Sequence, residues 1–174
     1  MNITLAQCVQ LLSSLNKKEQ ELRNDIFNNY TIEIPKGEKF EKPTRTVEDI
    51  FRELNDVQAD ILNLDDLIKQ ANMDNTIEWD GKHISVIRAI ETAKQLRSLV
   101  STYKMLGETK QRVYTAGYGS GTVMETVALF DPEKYRKLAD KTSRQAELLS
   151  SKIDRVNYTV EVNVPFATKY LEVS

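Results

Sequence analysis

Apolar positions recur at steps of three and four along most of the chain. In the first such run Leu5, Cys8, Leu12, Leu15, Leu22 and Ile26 share one stripe, which only Glu19 interrupts, and Thr4 precedes it as a cap. This predicts a helix over about 5–29 with a coiled-coil-like seam. The second run, Val47, Ile50, Leu54, Val57, Ile61, Leu64, Ile68 and Ala71, is unbroken, and Thr46 with Asp49 three residues on forms a capping box. A helix over 47–73 extends ~39 Å at ~1.5 Å per residue, so it needs long partners. A third helix over about 86–106 starts after Ser85, with its stripe at Val86, Ala89, Ala93, Leu96, Val100 and Tyr103. The fourth, about 132–157, opens on Asp131 as cap, Pro132 where no N–H is required, and Glu133 at the positive dipole end. Tyr135, Leu138, Ala146, Leu149, Ile153 and Val156 form its buried face.

Period-two alternation marks shorter elements. Strands are expected over about 30–34, 76–79, 82–84, 112–115, 122–130 and 158–164. The clearest is the hairpin around Asp80-Gly81, a pair suited to the two positive-φ positions of a type I′ turn. The fold class expected is mainly α: a long antiparallel four-helix bundle, residues 1–174 as one domain, with short hairpin or sheet elements at one end. Leu11 and Leu62 lie beside rather than on their seams. Burying such extra faces predicts self-association, most simply as a two-fold dimer.

Composition narrows the function. Net charge is −2, from 24 Lys+Arg against 26 Asp+Glu, so no global field draws the chain to DNA or to an anionic membrane. The start "MNITLAQCVQLL" lacks a basic leader, and no apolar run reaches the ~18 residues of a membrane span. A cytoplasmic location is expected. Cys8, the single cysteine, excludes an internal disulfide and a thiolate cluster.

The stretches "LIKQAN", "DGKHIS" and "TVALFDPEKYRKLADKTSRQAELLSSKIDRVNYTVEV" resemble a family of small bacterial and phage helical proteins labelled septicolysin-like. The likeness in layout covers nearly the whole chain and implies the helical fold. It implies no chemistry and hands over no catalytic residue. Two features depart from the family pattern: Asn157-Tyr158 stands where an Asn-Trp pair is expected, and a glycine-rich stretch replaces a compact basic linker. The lytic label finds no membrane-inserting segment here.

A search for reactive groups leaves little. Histidine occurs once, at His83 in a hairpin, without a nucleophile pairing to suggest. Asp65-Asp66, Glu19 and Glu21 lack the Glu-x-x-His pattern of di-iron bundles, so neither a metal nor another cofactor is expected, and no enzymatic activity. The segment "RVYTAGYGSGTV", 112–123, is different in kind. It places Gly117, Gly119 and Gly121 beside Arg112, Tyr114 and Tyr118, yet matches neither nucleotide-binding fingerprint. Glycines let backbone N–H groups approach an anion, Ser120 and Thr122 donate hydrogen bonds, the tyrosines stack, and Lys110 and Arg112 carry charge. Arg88 and Arg97 on the third helix are candidates for additional anion contacts, while Lys94 on that helix and Arg136 and Arg144 on the fourth read as a solvated face or ion pairs.

Together these features suit an anionic, nucleotide-like small molecule held by a homo-oligomer without being transformed. Sequestration of a signalling nucleotide, a strategy some phage proteins use against bacterial defence, needs no more than that. The alternative is a structural or protein-interaction helical module in which the glycine segment is a passive connection.

Overall fold

The computed structural model describes residues 1–41, 43–116, 121 and 123–171. The elements in order are β1 (Asn2–Thr4), α1 (Leu5–Asn29), α2 (Val47–Asp74), β2 (Thr76–Trp79), β3 (Lys82–Ser85), α3 (Val86–Glu108), β4 (Arg112–Ala116), β5 (Val123–Val127), α4 (Pro132–Thr159), β6 (Glu161–Asn163) and α5 (Thr168–Leu171). The protein is mainly helical, with small antiparallel sheets that pair β1 with β6, β2 with β3 and β4 with β5. It divides into two compact units: unit 1 is Met1–Asp74 with Val156–Ser174, and unit 2 is Asn75–Arg155.

Unit 1 is built on the α1 and α2 seams. Thr4 caps α1 through a reciprocal box with Gln7, whose N–H donates to Thr4 Oγ1 at 3.2 Å. Thr46 and Asp49 close the same box on α2. Leu5, Cys8, Leu15 and Leu22 meet Ile50, Leu54, Val57, Leu64 and Ile68, all buried. The seam crosses α1 at Leu11, fully buried, while Leu12 is half-buried and packs against the same core: both lie beside the stripe, and the position of α2 decides which of them is covered. Leu62 stays outside, 67% exposed.

The β1–β6 sheet closes the end of this core with Ile3 and Val162, and β1 was not evident from so short an alternation. The C-terminus is tied down by Asp60 of α2, which accepts from the Tyr170 hydroxyl at 2.6 Å and from Lys169 Nζ at 3.1 Å. These partners push the Lys169 ammonium up to about 12, the neighbouring Tyr170 hydroxyl acting most strongly and Asp60 next. Residues 30–34, expected as a strand, form none. Alternation without a neighbouring edge leaves the ladder unmade, and Ile32 and Ile34 are exposed.

Unit 2 opens with the β2–β3 hairpin, in which Asp80 (φ 48°) and Gly81 (φ 71°) take the two left-handed positions of the expected type I′ turn. Ser85 Oγ caps α3 by accepting from the Arg88 N–H at 3.3 Å. Asp131 caps α4 by accepting from the Glu133 N–H at 2.9 Å. Helices α3 and α4 approach closely at Gly107, whose carbonyl accepts from Arg136 Nε at 2.8 Å; a Cβ there would stand 2.8 Å from Arg136 Cγ and 3.0 Å from its backbone nitrogen. Tyr135 rests against Tyr103 and, edge-on, against Phe130. The last expected strand, 158–164, is shorter than its alternation: the Val160 N–H donates to Val156 O, carrying helical hydrogen bonding through the start of that run and leaving Glu161–Asn163 as β6.

Candidate functional site

Between α3 and α4 the chain makes a two-stranded ribbon. β4 and β5 pair antiparallel in the register Arg112↔Val127, Val113↔Thr126, Tyr114↔Glu125 and Thr115↔Met124. Its root is fixed by Ala128 N–H donating to Gln111 O at 2.9 Å and by Gln111 Nε2 returning a bond to Ala128 O. Side chains alternate across a strand, so Arg112, Tyr114, Val123, Glu125 and Val127 share one face, and Val113, Thr115, Met124 and Thr126 the other. From 112 to 115 and from 123 to 127 every side chain is exposed, on both faces.

On the first face Arg112 reaches diagonally to Glu125, Nη1 to Oε1 at 2.9 Å, while Glu125 lies directly across from Tyr114. An exposed pair of this kind is worth ~0–1 kcal/mol, too little to hold the guanidinium against a better anionic partner. Only Nη1 is engaged, so the remaining donors of Arg112 have no partner among the described residues. Lys110 is exposed just before β4. Gly121 has φ +63°, the left-handed conformation that favours glycine. Gly117, Tyr118, Gly119, Ser120 and Thr122 lie outside the described residues.

The other expected contacts sit elsewhere. Arg88 is exposed in the first turn of α3, roughly 30 Å along the helix from the start of the ribbon. Arg97 donates from Nη2 to Ser150 Oγ at 2.6 Å and borders a groove of ≈ 540 Å³ between α3 and α4, floored by Val100 and Ala146 and edged by Glu147 and Asp154. The ribbon therefore gathers Arg112 and Tyr114 with Lys110 beside them, and gathers neither Arg88 nor Arg97. Arg136 is committed to Gly107, whereas Arg144 lies with Lys137 and Lys141 along a shallow groove of ≈ 450 Å³ on α4. Glu125 is the ribbon residue that sequence reasoning passed over; its signal is the register, which sets a carboxylate opposite Tyr114.

The remaining candidate carboxylates serve the scaffold. Glu19 accepts from Gln58 Nε2 and Arg23, and those hydrogen bonds, Gln58's foremost, hold its carboxyl below the usual range. Asp65 pairs with Lys69, and Glu21 with Lys17. His83 is exposed on β3 across from Glu78. Burial pushes the Cys8 thiol up and away from reactivity. Among the described residues no three His, Cys, Asp or Glu side chains gather to hold a metal, and no helix is long and apolar enough to cross a membrane.

A family model described as "Family of unknown function (DUF6847)" matches residues 13–162. No curated protein matches the chain. Among solved structures, the crystal structure of a functionally unknown conserved protein from Corynebacterium diphtheriae superposes with a TM-score of 0.69 at 19% identity, covering 94% of this chain and 100% of that one. That likeness is one of fold.

Proposed function

We propose that this chain, which belongs to the DUF6847 family, is a non-catalytic homo-oligomeric binding protein for an anionic, nucleotide-like small molecule. The observation that carries the reading is the exposed ribbon face on which Arg112, with donors to spare, stands beside Tyr114. A guanidinium offers paired donors to a phosphate, an aromatic ring offers a surface to a base, and neither group is spent on the protein core. A protein that only binds such a molecule withholds it from its receptor, which is the action of a sequestering protein in phage counter-defence against bacterial nucleotide signalling.

Calorimetry and thermal-shift measurements with cyclic dinucleotides and ADP-ribose derivatives test this. Binding is expected to stabilise the protein by ~2.7 kcal/mol when free ligand reaches one hundred times Kd. Arg112→Ala is expected to weaken binding about 10–100-fold, the value of a hydrogen bond to a charged group, without lowering the melting temperature of the free protein. Absence of heat and of any shift across both ligand classes sinks the proposal. A second reading, a protein-interaction helical module without a small ligand, draws on the apolar stripes of the helices with the glycine segment as a passive connection, and a deletion of that segment that leaves assembly unchanged while no ligand binds would favour it.

A further inference from the structure

Glu125 is out of character on the Arg112 face of the ribbon. Among residues 112–116 and 123–127 it is the one acidic side chain, and it stands directly across from Tyr114 and diagonal to Arg112. A carboxylate repels an anion, so on a face meant for phosphate alone it costs affinity. Its position is better explained by what it can accept.

The register makes the three side chains neighbours. Directly opposed positions of an antiparallel pair hold their Cβ atoms ~4.5–5.5 Å apart, and diagonal positions stay within reach of long side chains. Arg112 Nη1 donates to Glu125 Oε1 at 2.9 Å, which sets guanidinium and carboxylate side by side. Glu125 Oε2 and Arg112 Nη2 have no partner among the described residues. The pair therefore offers a free acceptor next to free donors, beside a tyrosine ring that is 65% exposed. Val123 and Val127, both exposed, flank Glu125 on the same face and give a planar group an apolar margin.

An ionised carboxylate accepts hydrogen bonds and donates none. The ligand edge that matches donors beside an acceptor is one that carries an acceptor beside donors. Among the common bases guanine has that order on a single edge: the O6 acceptor, then the N1–H and N2–H₂ donors. Adenine sets the N1 lone pair next to its amine, and that lone pair would meet the carboxylate oxygens. Uracil and thymine bracket one N–H between two carbonyls, and cytosine follows its amine with acceptors only. Each of these leaves a repulsive contact that guanine avoids.

We infer that this face of the ribbon selects guanine nucleotides, with Glu125 as the residue that sets the base. Glu125 accepts from N1–H and N2–H₂, a free donor of Arg112 bonds O6, and the ring stacks on Tyr114. The remaining donors of Arg112 and the exposed Lys110 are left for phosphate. This selectivity rests on the nucleotide reading proposed above and adds the base to it.

Calorimetry on the full chain tests it, with cyclic dinucleotides that share one sugar–phosphate ring and carry guanine, hypoxanthine or adenine. The guanine ligand is expected to bind about 10–100-fold more tightly than the adenine one, the value of a hydrogen bond to a charged group. Hypoxanthine keeps N1–H and lacks the N2 amine, so its affinity is expected between the two. Glu125→Gln is expected to weaken the guanine ligand about 10-fold and to leave the adenine ligand unchanged or tighter, because a carboxamide supplies a donor for adenine N1. Glu125 is exposed, so the variant should keep its helical circular dichroism. Equal affinity for all three ligands, an adenine ligand that leads the series, or a Glu125→Gln effect of the same factor on every base overturns the guanine selectivity and leaves the nucleotide proposal standing. Failure of every nucleotide to bind, ADP-ribose derivatives included, sinks both.

Discussion

The buried residues of α1 and α2 are leucine, isoleucine and valine with the single Cys8; those of α3 and α4, apart from Val86, Pro132, Leu149 and Ile153, are alanine, threonine and glycine. Burying a leucine or isoleucine is worth ~1.5–3 kcal/mol, whereas an alanine brings little more than its one methyl. The backbones of α3 and α4 come close at Gly107, and unit 2 is joined by polar ties: Arg136 to the Gly107 carbonyl, Arg97 to Ser150, and Lys152 Nζ to the Glu78 carbonyl at 2.8 Å. Unit 1 is held by what it excludes from water. Unit 2 is held by particular contacts, and the candidate ligand face lies in it.

The sharpest way to break this comparison is to truncate a leucine in each unit. Leu64, fully buried, should cost ~3–5 kcal/mol as Leu64→Ala, because the transfer term and an unfilled cavity add. Leu96→Ala, half-buried, should cost ~1 kcal/mol or less. Chemical denaturation reads both numbers. Equal costs would mean that α3 is as well covered as α2, and the distinction would fail.

A smaller effect probes the polar ties. Gly107→Ala should destabilise by ~1–3 kcal/mol, since the new methyl meets Arg136 backbone atoms as well as its side chain, and backbone gives way less readily than a side-chain tip. A neutral result would show that α3 and α4 separate there without loss. The helix-propensity gain of alanine, ~1 kcal/mol, works in the opposite direction and sets the lower end of the range.

What the sequence reveals follows the reach of each interaction. Thr4, Thr46, Ser85 and Asp131 are legible as caps because the partner is two or three residues away, and Asp80-Gly81 because the turn needs its own φ values and nothing else. The α2 seam reads correctly for the same reason. The choice of Leu11 over Leu12 is settled by where α2 lies, and the β1–β6 pairing joins Ile3 to Val162, so neither is written locally. Residues 30–34 have the alternation of a strand but lack an edge to join. At the site, Arg112 and Tyr114 are legible by type and their shared face by spacing; the Arg112–Glu125 pair depends on a hairpin register that the glycine segment conceals.

The smallest effect is in pH, and it tests whether the polar contacts of unit 1 add to its core. Glu19 and Glu53 are both held below the ordinary carboxylate range, Glu19 chiefly by Gln58 and then Arg23, Glu53 chiefly by Lys18. A carboxyl whose folded pKa is depressed stabilises the fold above its unfolded value, near 4.5, and that contribution disappears as pH falls through the folded value. Lys169 works at the other end: raised to about 12, it contributes fully below about 10.5 and is lost as pH climbs through 12. Glu19→Gln isolates one of these groups. At pH 7 the variant should melt slightly below the wild type, because the ionised partner of Gln58 and Arg23 is gone; below the folded pKa of Glu19 the wild-type side chain is itself neutral, so the two melting curves should converge. A gap that stays constant as pH falls until Glu19 is protonated in the folded protein would show that Glu19 acts through its shape rather than its charge, and that its ionisation adds nothing to the leucine seam.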